Sequence, residues 1–207
     1  MKLFKTLALF AAALALTGCA HHLQIAPDLA KIERPAEAKP KIQANVAYYI
    51  NDNLRKEEKI TPGGGGDKVT TAPYRDLEVG FYKMLGNVFE NVTLLKTQGD
   101  GNAIAQQHID YIITPVVTPN SSSSSVLTWP PTHFSIDLAC DISDANGKLL
   151  YRKQVVGEGN AEFSEFKSDF ALSGKLAMQD ALLKMQAQLL ELPVNAKSGA
   201  APASGQP

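Results

Sequence analysis

The residue with the most distinctive chemistry in this sequence is Cys19, which follows the first apolar segment of the chain. Two lysines lie within the first five residues, the run from Leu7 to Leu16 is uninterrupted and apolar, and the small residue Gly18 stands directly before the cysteine. This is the layout of a secretory signal peptide, and its apolar part is too short for a stable membrane span. Cys19 therefore stands where such a signal would be cut.

The four residues Leu16-Thr17-Gly18-Cys19 resemble a bacterial lipobox, the signal for lipoprotein processing. The resemblance implies that the sulfur of Cys19 is acylated, that the chain is cut between Gly18 and Cys19, and that the new amino group is acylated as well. The next residue is Ala20 and not aspartate, which by analogy with this class implies release to the outer membrane. The implied location is the periplasmic face of that membrane.

The charge of the chain argues against several classes of partner. It carries 20 basic and 21 acidic residues, and loss of the signal would remove two of the lysines. A slightly acidic chain without a basic block is a poor candidate for binding nucleic acid or anionic lipid. Membrane attachment would then depend on the acyl chains, of which two or three hold a protein far more firmly than one.

The second cysteine of the chain is Cys140. If Cys19 carries lipid, Cys140 has no intramolecular partner, whereas a disulfide between them would require an unlipidated Cys19 in an oxidising compartment. Cys140 lies on the apolar face of a predicted strand, where a free thiol behaves as a small hydrophobic side chain. Core packing is the predicted role, and a redox role is the alternative.

Two groups of residues have the side chains of a metal site but not its spacing. The adjacent His21 and His22 have no carboxylate or cysteine cluster at ligand spacing. His133, Asp137 and Asp141 share one face of a predicted strand, where alternate residues lie about 6.6–7 Å apart, so three of them cannot converge on one ion. We expect no metal and no cofactor.

The loop from residue 120 to 131 has an unusual composition, with five consecutive serines followed by Leu127 and the single tryptophan of the chain, Trp129. Serine runs cannot pack a core, so we expect this loop to be exposed. Tryptophan is favoured at contact hot spots, which makes Trp129 and Leu127 candidate contacts for a protein partner. The alternative is a lid over the edge of a sheet. No G-x-S-x-G motif frames the serines, which argues against a hydrolase nucleophile.

The hydrophobic pattern predicts five strands and two helices. Alternation of apolar residues is clearest over 133–142, and Asn146-Gly147 predicts a hairpin turn after it. Apolar residues at helical spacing mark the two helices. The run of glycines at 63–66 lacks the pattern of a phosphate-binding loop, so 51–72 is expected to be a mobile loop. The predicted strands are 42–50, 92–96, 109–117, 133–142 and 148–158, and the predicted helices are 74–90 and 168–192.

This element order predicts an α+β fold. Strands adjacent in sequence pair antiparallel most simply, which gives a two-layer sandwich of a mostly antiparallel four- to five-stranded sheet with two helices on one face. The predicted organisation is a signal peptide (1–18), a lipidated N-terminus with a flexible, proline-containing tether (19–41), a single domain (42–192) and a disordered tail (193–207).

The layout resembles small envelope lipoproteins of Gram-negative bacteria, including those that assist lipopolysaccharide assembly or envelope transporters. The resemblance depends on the Asn-Gly hairpin, the strand end Gly157-Glu158-Gly159, where we expect a bulge, and the Ala/Leu-rich helix after it. It implies a non-enzymatic accessory or adaptor with an envelope protein partner, attached to the outer membrane through Cys19. The alternative is a carrier of a small apolar or lipid ligand between the helices and the sheet. A hydrolase would need a catalytic constellation that we do not find.

Overall fold

The computed structural model describes residues 20–123 and 129–193. The predicted signal peptide, Cys19, Leu127 and the predicted tail from residue 194 lie outside the described residues. The described strands are β1 (Ala20–His22), β2 (Ile42–Tyr48), β3 (Lys59–Pro62), β4 (Lys68–Thr71), β5 (Phe89–Leu94), β6 (Tyr111–Ser122), β7 (His133–Asp144) and β8 (Leu149–Asn160). The α-helices are α1 (Asp52–Lys56), α2 (Pro73–Val88), α3 (Gly101–Gln106), α4 (Phe163–Phe166) and α5 (Leu172–Leu190).

A five-stranded sheet in the order β5-β2-β6-β7-β8 forms the centre of the fold. The α+β class is confirmed, and β6, β7 and β8 pair antiparallel as expected. The sheet is nevertheless mixed, because β2 lies parallel to both of its neighbours, β5 and β6. Helix α2 carries the chain from the region of β2 back to the start of β5, and such a crossover connects parallel strands.

The main hydrophobic core lies between this sheet and the helices α2 and α5. The predicted alternation along β7 is confirmed, since Phe134, Ile136, Leu138, Cys140 and Ile142 are all buried beneath the helices. Cys140 is a free thiol in this layer, and burial raises its pKa well above the ordinary value. A buried thiol of raised pKa has little thiolate at neutral pH, which fits the predicted packing role.

Helix α2 forms where the sequence predicts it and begins at Pro73, whose fixed φ suits the first helical position. Its apolar stripe is fully buried against the sheet and α5. Helix α5 is shorter than the predicted 168–192, and buried residues extend from Ser173 to Leu189 along it. The helix therefore packs against the rest of the fold over nearly its whole length.

The predicted bulge at the end of β8 is wrong, because the β7–β8 register continues unbroken through Gly157 and Gly159. The glycines instead allow α5 to lie directly on the strand. A Cβ atom built at Gly157 would lie 2.6 Å from the Cβ of Ala181, and one built at Gly159 would lie 2.9 Å from the Cβ of Leu176. The absence of side chains at these positions sets the distance between helix and sheet.

The predicted flexible tether is wrong for residues 20–41, which pack against the domain; we call this segment the N-terminal strap. Ile25 and Ile32 are completely buried in the main core. The backbone N–H of Ile25 donates to the buried carboxylate of Asp76 at 2.9 Å. Burial of two large apolar side chains offsets the cost of ordering a segment whose prolines and charges had suggested disorder.

The predicted mobile loop at 51–72 is also wrong. It contains α1, capped by the side chain of Asn51, and the antiparallel pair β3–β4. Gly65 and Gly66 adopt positive φ in the turn between those strands, a conformation that glycine adopts without strain. The strand β1 adds to β4 in parallel and completes a second, three-stranded sheet in the order β1-β4-β3.

Candidate functional site

The side chain of Trp129 lies between two other rings. The ring centroids of Trp129 and His21 are 4.1 Å apart, and those of Trp129 and Phe170 are 5.5 Å apart. Trp129 is half-buried, whereas Phe170 is 53% exposed. These three side chains form what we call the aromatic surface, which brings together parts of the chain that are far apart in sequence.

A different element positions each ring of the aromatic surface. His21 is held in β1 opposite Val69 of β4, and its Nε2 lies 3.2 Å from a carboxylate oxygen of Asp67. Trp129 precedes two buried prolines, Pro130 and Pro131. Phe170 stands just before α5.

The start of α5 and the tryptophan loop are joined by a buried hydrogen bond. The hydroxyl of Ser173 donates to the carbonyl oxygen of Pro131 at 3.0 Å. Ser173 is itself buried, so loss of this bond would leave its hydroxyl and the carbonyl of Pro131 without a hydrogen-bond partner from protein or water. The loop therefore has a fixed position relative to the helix.

A surface cavity of about 470 Å³ opens at the aromatic surface. Its lining includes Ala20, the first residue after the predicted acylation site, together with Trp129 and Phe170. Ala20 lies opposite Lys68 in the β1–β4 pairing. The apolar side chains around this cavity offer contact area to an apolar surface or ligand.

The charged groups near this cavity are paired or exposed to solvent. The Nε2 of His22 lies 3.6 Å from a carboxylate oxygen of Glu58, and both side chains are more than half exposed. Lys68 is exposed beside Ala20. Within residues 20–123 and 129–193, no group of three histidine, cysteine or acidic side chains could hold a metal ion. The site thus presents exposed apolar rings beside charges of both signs.

The polar face of β7 does not form a converging site. A ring nitrogen of His133 lies 2.9 Å from the side-chain oxygen of Asn160. Asp141 accepts two hydrogen bonds from Arg152 at 2.9 and 3.0 Å, and Asp137 accepts two from the side-chain amide of Gln154 at 2.8 Å. Each of the three candidate ligands thus contacts its own neighbour on β8. Such cross-strand pairs stabilise a solvent-facing sheet surface.

A second polar cluster joins α1 to α2. The guanidinium of Arg55 donates two hydrogen bonds of 2.8 Å to Glu78, and this pairing raises the pKa of Arg55. Burial, together with the charge of Glu78, raises the pKa of the nearby Tyr48 to about 12. The bidentate ion pair fixes α1 against α2. We assign it a structural role.

Sequence reasoning singled out Trp129 but neither of its ring partners. The sequence offers His21 only as a candidate metal ligand within the predicted tether, and it places Phe170 inside the predicted helix 168–192. No periodicity connects positions 21, 129 and 170, because their contact depends on β1 joining the second sheet. The expected alternative, a lid over the edge of a sheet, is close to the observed arrangement, because Trp129 packs on His21 of β1, an edge strand of the second sheet.

Among the residues that the structure describes, no helix combines the length and apolarity needed to cross a bilayer. Comparison of the sequence with protein-family models and with curated proteins found no match.

Several solved structures have a similar arrangement of elements at low sequence identity. Protein XCC0632 from Xanthomonas campestris, of family DUF330, is 12% identical with a TM-score of 0.47, and the match covers 84% of this chain and 92% of that one. A homolog of the neuraminyllactose-binding hemagglutinin from Helicobacter pylori is 11% identical with a TM-score of 0.39, covering 77% and 88%. A candidate lipoprotein from Caulobacter crescentus is 14% identical with a TM-score of 0.28, covering 46% and 85%. At these values we draw no functional argument from the similarity.

Proposed function

We propose that this protein is a lipoprotein of the bacterial envelope, anchored through acyl groups on Cys19, and that it acts as a non-enzymatic accessory or adaptor of an envelope assembly. The outer membrane, at its periplasmic face, is the proposed location. The observation that carries the proposal is the contact of Trp129 with the strand that begins one residue after the lipobox cysteine. An exposed aromatic surface at that place suits binding better than catalysis.

The N-terminal strap supports this function because it would fix the acyl anchor relative to the domain. The backbone N–H of Leu23 donates to the carbonyl oxygen of Thr70 at 2.9 Å, directly after β1. Further along, the side-chain amide of Gln186 donates to the carbonyl oxygen of Glu33 at 3.0 Å. A domain held this closely to its anchor would present one defined side to partners in the envelope.

The alternative function, a carrier of an apolar ligand between helices and sheet, finds no support in the packing of that layer. Helix α5 lies so close to β8 that even a methyl group at Gly157 would collide with Ala177 and Ala181. A ligand at that place would have to separate elements held by the central core. We therefore retain the adaptor as the proposed function.

The intact mass of the mature protein, measured on the membrane fraction, tests the anchor. We expect a chain that begins at Cys19 and carries two or three acyl groups. The Cys19→Ala variant should appear as a soluble periplasmic product without acyl mass. Recovery of wild-type protein from the cytosol with residues 1–18 attached and no acyl mass would overturn the proposal.

Cross-linking in intact cells tests the adaptor role. We expect a defined complex with an envelope protein for the wild type and loss of that complex for Cys19→Ala, whose fold is checked by circular dichroism. If the wild type forms no complex and instead co-purifies with a lipid detected by mass spectrometry, the carrier function replaces the adaptor function.

A further inference from the structure

The position of the aromatic surface suggests that it binds the lipid bilayer in addition to a protein partner. We propose that Trp129 and Phe170 insert into the headgroup region of the lipid leaflet that holds the acyl chains of Cys19, so that the domain makes a second, non-covalent contact with the bilayer. This inference rests on the proposed acylation of Cys19, and the experiment below separates the two.

The covalent geometry of the chain places the anchor beside these rings. Consecutive Cα atoms are about 3.8 Å apart, so the Cα of Cys19 must lie within that distance of Ala20. Ala20 lines the same cavity as Trp129 and Phe170. Acyl chains that leave the protein at residue 19 would therefore bring the lipid surface to the open side of the aromatic surface.

Because the N-terminal strap is ordered and not flexible, the anchor stays next to the aromatic surface. A flexible tether of about 20 residues would let the domain move tens of ångströms from the bilayer. Here β1 pairs with β4, and the completely buried Ile25 follows within five residues of Ala20. The domain cannot leave the membrane surface unless the strap separates from the core.

The chemistry of the rings fits the membrane interface. Tryptophan concentrates at the level of the lipid headgroups because its indole is largely apolar and carries one polar N–H group. Phe170 exposes 53% of its surface beside Trp129, and transfer of this area out of water is favourable. A lipid leaflet supplies both an apolar environment for the rings and polar groups at the same depth.

The charges around the aromatic surface indicate that the contact does not depend on anionic lipid. Lys68 is exposed opposite Ala20 and can approach a phosphate group. The acidic side chains of Asp67 and Glu58 lie on the same small sheet or beside it, next to His21 and His22. This mixture of signs gives no strong attraction to anionic lipid, so apolar contact and the acyl chains would hold the surface in place.

Tryptophan fluorescence tests the proposal directly, because Trp129 is the only tryptophan of the chain. The mature acylated protein is reconstituted in vesicles of phosphatidylethanolamine and phosphatidylglycerol, with and without brominated acyl chains. We expect the emission of Trp129 to shift to the blue relative to soluble Cys19→Ala protein. We also expect loss of intensity in brominated vesicles and reduced quenching by aqueous acrylamide.

A reporter at the opposite end of the sheet provides the matched control. In the double variant Trp129→Phe, Leu149→Trp, the indole stands at the start of β8, about 40 Å along the strands from the end near the aromatic surface. We expect its emission to be insensitive to brominated lipid. If this variant does not fold, Leu150→Trp in the same background provides a second exposed position at the same end of β8.

The mass of the reconstituted protein separates the possible failures. If Cys19 carries no acyl groups, the proposed anchor fails and the membrane contact fails with it. If the protein is acylated but acrylamide quenches Trp129 as strongly as in soluble Cys19→Ala protein, only the membrane contact is overturned. Shielding of Trp129 from both acrylamide and brominated lipid would also overturn it, since a protein partner or a second copy would then cover the surface.

Discussion

The side chain of Tyr48 couples the stability of this protein to alkaline pH. Tyr48 is 4% exposed, and burial together with the charge of Glu78 raises its pKa to about 12, although Arg55 acts in the opposite direction. In the unfolded chain its pKa would be about 10. The neutral phenol therefore contributes stability that is fully present below pH 10 and is lost as pH rises towards 12.

Chemical denaturation at several pH values measures this effect. Relative to Tyr48→Phe, the wild type should lose about 1 kcal/mol of unfolding free energy by pH 11 and about 2–3 kcal/mol by pH 12. The comparison with Tyr48→Phe removes the contributions of the other tyrosines. Parallel loss of stability in both proteins would show that Tyr48 titrates at its ordinary pKa in the folded state.

The lack of a side chain at Gly157 determines how closely α5 approaches the sheet. The Cβ atom of Gly157→Ala would collide with the backbone of Ala177 and with Ala181, neither of which can move without shifting the helix. Overpacking of this kind costs about 1–3 kcal/mol. Thermal unfolding should show a lower Tm for Gly157→Ala.

Gly86 provides the matched control for this prediction. It lies in α2, where a Cβ atom would have nothing within 4 Å. Gly86→Ala should stabilise the helix by about 0.5–1 kcal/mol. Equal changes in Tm for both variants would mean that the close approach of α5 does not explain the glycine at position 157.

At the scale of elements, one buried carboxylate fastens the N-terminal strap to α2. The side chain of Asp76 is completely buried and accepts the backbone N–H of Ile25. Asp76→Ala would leave that N–H without its partner in a buried place, at a cost of about 1–3 kcal/mol. We expect trypsin to cut Asp76→Ala protein faster than wild type at the exposed Lys31 within the strap, since the bonds after Arg34 and Lys39 precede proline and resist trypsin.

The Asp76→Asn variant serves as the control because its amide oxygen can still accept the bond from Ile25. It should resist trypsin better than Asp76→Ala. If Asp76→Ala is cut no faster than wild type while its global stability is unchanged, the strap is held by Ile25 and Ile32 alone, and the proposed role of Asp76 is wrong.

The elements predicted from the sequence are those whose patterns are local. The alternation along β7 and the Asn146-Gly147 turn specify their hairpin by themselves, and Gly147 has the positive φ that such a turn requires. Pro115 lies in the part of β6 beyond its pairing with β2, where no ladder bond is needed from it.

The elements that were missed depend on distant contacts. Ile25 and Ile32 are isolated apolar residues in the strap, and their burial depends on room left by glycines on the helices. A Cβ atom at Gly174 would collide with Ile25, and one at Gly80 would lie 2.8 Å from Pro27. The parallel pairing of β2 likewise follows from the crossover through α2, which no local pattern reveals. The aromatic surface was missed for the same reason. Its three residues come from distant parts of the chain, and the sequence singles out only Trp129.

At the scale of the whole molecule, the ordered strap changes what a lipid anchor can do. A predicted tether would have separated the domain from the membrane, whereas the observed segment brings Ala20 into a strand of the folded body. The orientation of the domain is then set by the same residues that join it to Cys19. With Cys19 acylated as proposed, this one feature would give the domain one surface that contacts lipid and an opposite end that faces away from it.

Insertion of a flexible linker tests whether this rigid connection matters. Ten residues of glycine and serine placed between Ala20 and His21 keep Ala20 next to Cys19, so acylation and sorting should be unchanged. The linker would free the domain to diffuse away from the bilayer over roughly 15–20 Å. We expect quenching of Trp129 by brominated lipid to fall and acrylamide quenching to rise, while intact mass shows the same acylation as wild type.

The same linker placed after Asn146, in the turn between β7 and β8, is the control, because that turn lies at the far end of the sheet from Trp129. It should leave the quenching of Trp129 as in the wild type. If both insertions leave that quenching unchanged, the aromatic surface holds the membrane without help from the strap. If both reduce it, the insertions act through the stability of the fold, and the rigid connection at residue 20 loses its proposed role.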